Sequence, residues 1–277
     1  MKKRQPRKTL YIGRNTSPKL KKNRHGASKG GAMGSRAAVE AFWNNEYKGA
    51  SDKDNVTTHL ALSMNPSEDL MKFTRWMERE YGKIYLNPTS SVLDLGCGNG
   101  RNLIWLAETY GMHGTGYDIS KEATLQAARM SKAKELGLKY EARSIALDDD
   151  EHFSLPDGAT TLALDMMTSH FLNEEERAKL REEIVRVLKP GGWLFLKTFL
   201  RDEDYNAETL LRDHPADEKG SYIHPKIGVS EHVFTEQELI DDLSPHFKIH
   251  KIFKSHRHLL KGKANKRRSI SIYAEKI

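Results

Sequence analysis

The chain has 277 residues, of which 38% are hydrophobic and 30% charged, so it is long enough to bury the core of one α/β domain. Its single cysteine, Cys97, excludes a disulfide framework and favours a reducing, cytoplasmic compartment, or the nucleus if the source is eukaryotic. No apolar run approaches the roughly 20 residues that cross a bilayer, and no signal-peptide core follows the basic start, so no membrane association is predicted.

The net charge of +7 is distributed unevenly along the chain. Residues 1–36 contain 12 Lys or Arg and no acid, and residues 248–276 contain 10 Lys or Arg and one acid. The segment between them is acidic, with 37 Asp or Glu against 23 Lys or Arg. Because residues 1–36 also lack apolar periodicity, we predict a disordered basic arm followed by one domain over residues 37–277.

Two helices are predicted at the start of this domain, in residues 37–90. Apolar residues recur at helical spacing from Arg36 to Tyr47. For the second helix, Asn65 is the expected N-cap and Pro66 the first helical residue, and Gly82 is expected to end it. We expect these helices to cover the site formed by the strands that follow.

From Ser91 onward, segments typical of strands alternate with segments typical of helices. Strands are predicted over 91–95, 113–118, 139–147, 160–166, 193–199, 246–253 and 268–276. Helices are predicted over 99–110, 120–135, 173–188 and 236–243, with Ser120 and Asn173 as N-caps. Residues 200–234 are expected to be an irregular insertion. This alternation predicts an α/β fold whose mainly parallel, seven-stranded sheet carries helices on both faces.

A glycine-rich turn joins the first predicted strand to the next helix. Gly96, Gly98 and Gly100 allow a sharp turn and the close approach of a ligand to the backbone, and the helix start offers free N–H groups to an anion. Asp118 lies at the carboxyl end of the second strand, where a carboxylate can bind both hydroxyls of a ribose. The nicotinamide-dinucleotide alternative requires a third glycine where this chain has Arg101.

Four segments together resemble the class I S-adenosylmethionine-dependent methyltransferases. They are VLDLGCGNGRN (Val92–Asn102), GYDIS with Asp118, LPDG, and RVLKPGG before the fifth strand. The resemblance covers about residues 91–200 and agrees more weakly beyond them. It implies the seven-stranded, Rossmann-like fold and S-adenosyl-L-methionine as the cofactor.

The resemblance also implies which residues bind the cofactor. Asp94 is expected to attract the ammonium group and Asp118 the ribose, and Ile119 and Asp148 are expected near the adenine, with core packing as the alternative for Ile119. The reacting methyl is expected to face the end of the fourth strand, where ordinary core packing is the alternative for Met166. The complete predicted cofactor set is Asp94, Gly96, Cys97, Gly98, Gly100, Asn102, Asp118, Ile119, Asp148, Asp165 and Met166.

Methyl transfer from a sulfonium requires a positioned nucleophile, and a base if that nucleophile carries a proton. Asp165 and His170 are the candidate bases, with His224 and His232 of the insertion as further candidates and surface or capping histidines as the alternative. Lys197 is the third predicted catalytic residue. With Asp165 it resembles two members of the Lys-Asp-Lys-Glu set of RNA ribose 2′-O-methyltransferases.

Two nucleic-acid mechanisms do not fit the sequence. Methylation of pyrimidine carbon 5 uses a cysteine nucleophile, and Cys97 lies in the cofactor turn instead. Methyltransferases that act on adenine amino groups resemble one another in an Asn/Asp-Pro-Pro-aromatic motif, where this chain has Asp165-Met166-Met167-Thr168. The 12 histidines show no zinc-ligand spacing with cysteine, so no metal is predicted.

The favoured substrate is RNA, ribosomal or transfer, methylated on N or O. The basic clusters Lys2–Lys29 and Lys248–Arg268 would contact its phosphates. One alternative is a small-molecule methyltransferase resembling the tellurite-resistance enzymes, with residues 200–234 as a lid or a surface elaboration and Tyr222 in its pocket. The sequence is also compatible with a protein substrate, or with a catalytically inactive module that binds the cofactor or RNA. It predicts no oligomeric state.

Overall fold

The computed structural model describes residues 36–50, 64–256, 259–260, 263–264 and 266–277. The basic arm predicted over residues 1–36 lies outside these residues except for Arg36. Part of the second basic cluster, Lys248–Arg268, lies outside them as well.

Helices and strands alternate as the sequence pattern predicts. The strands are β1 (Ser91–Leu95), β2 (His113–Asp118), β3 (Lys139–Ala142), β4 (Thr160–Met166), β5 (Leu188–Phe199), β6 (Ser221–Ile223), β7 (Ser230–His232), β8 (Phe247–Lys254), β9 (Leu259–Leu260), β10 (Lys263–Ala264) and β11 (Ser269–Lys276). The helices are α1 (Arg36–Ala50), α2 (Glu68–Tyr81), α3 (Arg101–Tyr110), α4 (Lys121–Ala133), α5 (Glu174–Val187), α6 (Tyr205–Asp213) and α7 (Glu236–Leu243). A 3₁₀ turn, Ser169–Phe171, follows β4.

Seven strands form one sheet in the order β3-β2-β1-β4-β5-β11-β8. The first five of these run parallel, and β11 is antiparallel to both of its neighbours. The predicted mainly parallel, seven-stranded α/β fold is therefore confirmed. The carboxyl ends of the parallel strands share one edge of the sheet, which is where ligand sites form in such folds.

Each face of the sheet is covered by helices. On one face α5 and α7 contribute fully buried side chains such as Ile184 and Leu239. On the other face α2 and α3 contribute fully buried side chains such as Phe73 and Leu103. Burial of each such side chain contributes roughly 1.5–3 kcal/mol. The sheet is thus held between two apolar layers, and its edge has a fixed geometry.

Two predicted N-caps are confirmed. The Ser120 hydroxyl accepts the N–H of Ala123 at 3.2 Å at the start of α4. Asn173 and Glu176 form a reciprocal capping box at the start of α5. Both signals are local in sequence, so the chain needs no distant contact to form them.

The predicted start of α2 is wrong by two residues. Ser67, rather than Asn65, is the N-cap, and Pro66 precedes the helix instead of being its first residue. The Ser67 N–H donates to Oδ1 of Asn102 at 2.9 Å, so a contact with α3 fixes where α2 begins. The predicted start of α3 at residue 99 is also early, because Gly100 adopts a left-handed conformation and the helix begins at Arg101.

Two strand predictions need correction. The third strand ends at Ala142 instead of continuing to residue 147, and Ile145–Leu147 are buried without belonging to a strand. The fifth strand begins at Leu188 rather than 193, with a register shift against β4 that accommodates Pro190-Gly191-Gly192. Gly191 takes a φ of +69°, which favours glycine at this irregularity.

The prediction that segment 200–234 is irregular is wrong. The segment contains α6 and the paired strands β6 and β7. Its own small core consists of Tyr222, Val233 and Ala207, all fully buried. Strands of three residues are too short to show an alternating pattern, which is why the sequence did not reveal them.

Candidate functional site

The turn between β1 and α3 has the backbone geometry that a close-bound ligand needs. Gly96, Gly98 and Gly100 have φ values of +66°, +54° and +76°, a region that other residues rarely adopt. A Cβ on Gly96 would lie 2.3 Å from Oγ1 of Thr168, and one on Gly100 would lie 2.8 Å from the Tyr140 hydroxyl. Glycine is therefore required at both positions by conformation and by space.

Asp94 lies beneath this turn with an unusual charge environment. Its side chain is 1% exposed, and its Oδ2 has no hydrogen-bond partner within the described part of the chain. Burial and the nearby Asp118 raise the pKa of Asp94 to about 8, and Arg101 opposes the shift. A buried carboxylate with an unpartnered oxygen is suited to an ammonium group, which would satisfy that oxygen and stabilise its charge.

Asp118 at the end of β2 is tied to the glycine turn. Its Oδ2 accepts the N–H of Gly98 and its Oδ1 accepts the N–H of Ser120, both at 2.8 Å. Burial nevertheless raises the pKa of Asp118 to about 6. The acid predicted to bind the ribose thus also fixes the conformation of the turn. These features fit S-adenosylmethionine, with Asp94 at its ammonium group and Asp118 at its ribose.

The predicted adenine-side residues lie at the ends of β2 and β3. Ile119 is half-buried and lines a cleft of about 390 Å³ together with Ala142, Ser144 and Arg36 of α1. Asp148 is largely exposed, and its Oδ1 lies 3.4 Å from Nη2 of Arg36. The cleft has the size for a nucleobase, and the roles of Ile119 and Asp148 toward adenine stay predictions.

Two other predicted cofactor residues have side chains engaged within the protein. Cys97 is buried so closely against β2 that a Cβ on Gly116 would lie 2.8 Å from its Sγ, and burial raises the pKa of its thiol. Asn102 accepts the Ser67 N–H and donates to Sδ of Met166 at 3.6 Å. Their side chains organise the turn and its neighbours, whereas the backbone of the turn remains the part suited to a ligand.

Helix α1 contributes a residue to this site that sequence reasoning missed. Tyr47 is 4% exposed, and burial together with the charges of Asp118 and Asp94 raises the pKa of its hydroxyl. Asn44 fixes the helix, since its Oδ1 accepts the Ser120 hydroxyl at 3.0 Å and the Glu122 N–H at 3.2 Å. The only sequence signal was an aromatic residue on a helix expected to cover the site.

The structure does not bring the predicted catalytic residues Asp165 and Lys197 together. In the register of β4 and β5, Asp165 pairs with Leu196, and Lys197 pairs with Met166. Asp165 is fully buried on the α5 face, where its Oδ1 accepts the Ser169 N–H at 3.1 Å. Lys197 lies on the α2 face with its Nζ 2.6 Å from Oδ2 of Asp69. Asp165 and Lys197, which resemble two members of the ribose methyltransferase set in sequence, therefore lie on opposite faces of the sheet and do not form a pair.

His170, the remaining predicted catalytic residue, lies in the 3₁₀ turn after β4. It is 2% exposed, and burial together with Arg267 and His232 lowers the pKa of its imidazole to about 3. The ring is therefore neutral at physiological pH and binds a proton weakly. Met167, at the same strand end, has a φ of +61°, and its N–H donates to the Lys197 carbonyl oxygen at 2.7 Å. Strained residues of this kind cluster at functional sites.

The histidines of the insertion have structural partners. His232 is 2% exposed and lies 2.7 Å from Oε1 of Glu238 and 2.9 Å from Oγ of Ser221. His224 accepts backbone N–H groups from residues 226 and 227 at 3.2 and 3.3 Å. His224 therefore has the capping role given as the alternative to catalysis. His232 is part of a buried hydrogen-bond network.

Membrane-spanning helices and clusters of metal ligands are both absent from the part of the chain that the structure describes. No helix there combines the length and apolarity needed to cross a membrane. No three His, Cys, Asp or Glu residues there converge as metal ligands. The absence of a metal stays a prediction.

Comparison with known proteins identifies the domain. The family described as "Methyltransferase domain" matches residues 92–192, which contain the glycine turn, Asp94, Asp118 and Asp165. A solved S-adenosylmethionine-dependent methyltransferase from Methanosarcina mazei is 26% identical with a TM-score of 0.58, and the match covers 70% of this chain and 95% of that one.

Two curated relatives carry named activities. A glycine/sarcosine/dimethylglycine N-methyltransferase from Actinopolyspora halophila is 30% identical over 53% of this chain and 27% of its own length. A 2-methyl-6-phytyl-1,4-hydroquinone methyltransferase from Synechocystis is 30% identical over 48% of this chain and 39% of its own length. This chain thus spans well under half of either relative. The family match over residues 92–192, the sheet order and the turn geometry together support a class I S-adenosylmethionine-dependent methyltransferase.

Proposed function

We propose that the protein transfers the methyl group of S-adenosylmethionine to a nitrogen or oxygen atom of a small molecule. The observation that carries the proposal is the buried, unpartnered carboxylate of Asp94 beneath the glycine turn, next to an acid at the end of β2. The small-molecule part is supported by the named substrates of the relatives, which are glycine derivatives and a hydroquinone.

The residues of the chain divide the binding task among them. S-adenosylmethionine, when bound, supplies a methyl group that is already activated as a sulfonium. Asp94 would hold its ammonium group, Asp118 its ribose, and the free N–H groups at the start of α3 its carboxylate. Tyr47, which is buried near Asp94 and Asp118, would cover the same region from α1.

The acceptor requires less chemical assistance from the protein. An amine that arrives deprotonated needs only correct positioning, whereas a hydroxyl must lose its proton. Asp165 is fully buried, and burial raises the pKa of its carboxyl, which improves it as a proton acceptor. The low pKa of His170 makes that imidazole the poorer base.

RNA, the substrate that the sequence favoured, stays a prediction. Of the second basic cluster, Lys248 and Lys254 are exposed on the edge strand β8, and Lys254 is paired with Glu236 at 2.5 Å. The first cluster, Lys2–Lys29, lies outside the described residues. The relatives favour small molecules instead.

The test is transfer of tritiated methyl from S-adenosylmethionine into a cell extract that is then separated into RNA, protein and small molecules. The proposal expects label in the small-molecule fraction with the native protein, and none with Asp94→Asn. Asp213→Asn, which alters an exposed carboxylate paired with Arg212, is the matched control and should transfer normally. Label confined to RNA would establish the RNA prediction in its place.

A further inference from the structure

Three strands bring residues from distant parts of the sequence to one place at the sheet edge. His170 follows β4, Phe199 ends β5, and Arg267 precedes β11. Because β11 is antiparallel to β5 and Ser269 pairs with Phe199, the start of β11 lies beside the carboxyl end of β5, at the same edge of the sheet as the carboxyl end of β4. The His170 ring lies 5.2 Å from the Phe199 ring, and Cζ of Arg267 lies 4.0 Å from the same ring centre.

Two buried polar atoms beside this ring have no hydrogen-bond partner among the residues that the structure describes. They are Nδ1 of His170 and Nη2 of Arg267. Buried nitrogens in proteins are nearly always paired, and leaving them unpaired costs free energy. Two such atoms flanking one aromatic ring, next to the strand end where the methyl is expected, indicate a place where a polar ligand group binds.

The other nitrogens of the Arg267 guanidinium contact residues of the insertion 200–234. Its Nη1 donates to the Tyr222 hydroxyl at 2.5 Å and lies 3.7 Å from Oε2 of Glu231. Its Nε lies 3.4 Å from Oδ2 of Asp204, which is the N-cap of α6. Asp204 and Glu231 are 1% and 3% exposed. Two buried carboxylates thus already balance the charge of this arginine.

This charge balance determines which ligand group fits. An anionic group would approach two carboxylates and a guanidinium that they already neutralise, so it gains little attraction. An uncharged oxygen can accept the free N–H of Arg267. A hydroxyl can also donate to the neutral His170 ring, so it satisfies both nitrogens at once.

We propose that the methyl acceptor is an uncharged molecule with a hydroxyl on a planar ring, and that this hydroxyl accepts from Nη2 of Arg267 and donates to Nδ1 of His170. The ring packs against Phe199, whose side chain is half-buried. This inference rests on the proposed function and names its substrate class. It also gives the insertion a role, since Tyr222 and Glu231 orient the arginine.

The experiment measures binding of three ring compounds of similar size to the protein loaded with S-adenosylhomocysteine. Phenol carries the hydroxyl, toluene replaces it with a methyl, and benzoate carries an anion. By isothermal titration calorimetry we expect phenol to bind about tenfold more tightly than toluene, as one buried hydrogen-bonding group contributes in other sites, and benzoate to bind most weakly.

His170→Phe keeps a ring of similar size without its nitrogens, and Arg267→Lys keeps the charge without the planar fork. Each variant removes one of the two hydrogen bonds, so each should lower the ratio of phenol affinity to toluene affinity while S-adenosylhomocysteine affinity is retained. Arg212→Lys, on the exposed surface of α6, is the matched control and should keep the ratio of the native protein. If Arg267→Lys fails to fold, His170→Phe carries the test alone.

Equal binding of phenol and toluene, tightest binding of benzoate, no binding of any probe, or an unchanged ratio in His170→Phe would each overturn this inference. The proposed function fails by a different result, which is label in RNA or in no fraction of the extract. Because probe binding involves no turnover, the two failures are distinguishable.

Discussion

The two halves of the sheet edge differ in how the sequence encodes them. In the cofactor half, formed by β1, β2, β3 and their helices, the key residues lie close together in the chain, from Asp94 to Asp118. In the acceptor half, formed by β4, β5, β11 and residues 200–234, the paired residues lie far apart. Tyr222 and Arg267, for example, are separated by 45 positions. A cofactor site can be encoded locally, whereas a substrate pocket is assembled from distant segments.

The largest expected effect is in the cofactor half, with Gly96→Ala. The new Cβ would lie 2.3 Å from the Thr168 side chain, at a φ of +66°. We expect S-adenosylhomocysteine affinity to fall by at least about 100-fold, equivalent to about 2.7 kcal/mol, as measured by calorimetry.

Gly82→Ala is the matched control for this change. Gly82 has a similar φ of +62°, but a Cβ at this position would have no atom within 4 Å, and Gly82 ends α2 away from the turn. The control should lose some stability and keep its cofactor affinity. Normal binding by Gly96→Ala would show that the turn is not the cofactor cradle.

A smaller loss is expected from Asp118→Ala. The substitution removes charge-assisted hydrogen bonds to the ribose and releases the Gly98 N–H, so cofactor binding should weaken by roughly 1–3 kcal/mol. Calorimetry at constant pH measures the change, and Asp213→Ala, at an exposed acid, should leave affinity as it is. Unchanged affinity in Asp118→Ala would contradict its assignment to the ribose.

Asp94 gives the cofactor half a pH dependence whose direction follows from its raised pKa. Folding raises the pKa of this carboxyl from about 3.9 to about 8. The folded, ligand-free protein is therefore favoured when Asp94 is protonated. Its free energy of unfolding decreases as the pH rises from about 3.9 to about 8. We expect the Tm of the ligand-free protein to fall between pH 5 and pH 8, and the fall to be smaller in Asp94→Asn. If Tm falls equally with pH in the native protein and in Asp94→Asn, the conclusion that Asp94 is a buried carboxylate without a partner is wrong.

The contrast between the halves also explains which sequence predictions succeed. Ser120 and Asn173 act through N–H groups three residues away, and the glycine turn is a contiguous backbone motif, so both are visible in the sequence. The start of α2 depends on Asn102, which lies 35 residues from Ser67, and no local signal reveals it. Tyr47 was missed for the same reason, since only the packing of α1 places it beside Asp118.

The acceptor half shows more clearly which contacts cannot be predicted from sequence. Asp165 and Lys197 were predicted correctly as residues near two strand ends, but a strand alternates its side chains, so a shift of one position puts them on opposite faces. Arg267 and Tyr222 meet only because β11 and the insertion converge on β5. Position along a strand can be predicted from sequence, and the partner across the sheet edge cannot.

The smallest expected effect tests whether α2 is coupled to the acceptor half through Asp69 and Lys197. Their side chains are 28% and 21% exposed, so solvent screens much of the attraction, and a coupling of about 0.5–1 kcal/mol is expected. A double-mutant cycle with Asp69→Asn and Lys197→Met, followed by urea unfolding, measures it. The same cycle on the exposed pair Arg212 and Asp213 should show no measurable coupling. If the coupling energies of the two cycles are equal, the ion pair does not stabilise the packing of α2, and the apolar face of α2 alone holds it to the sheet. Charged residues of the acceptor half could then be substituted without loss of the fold.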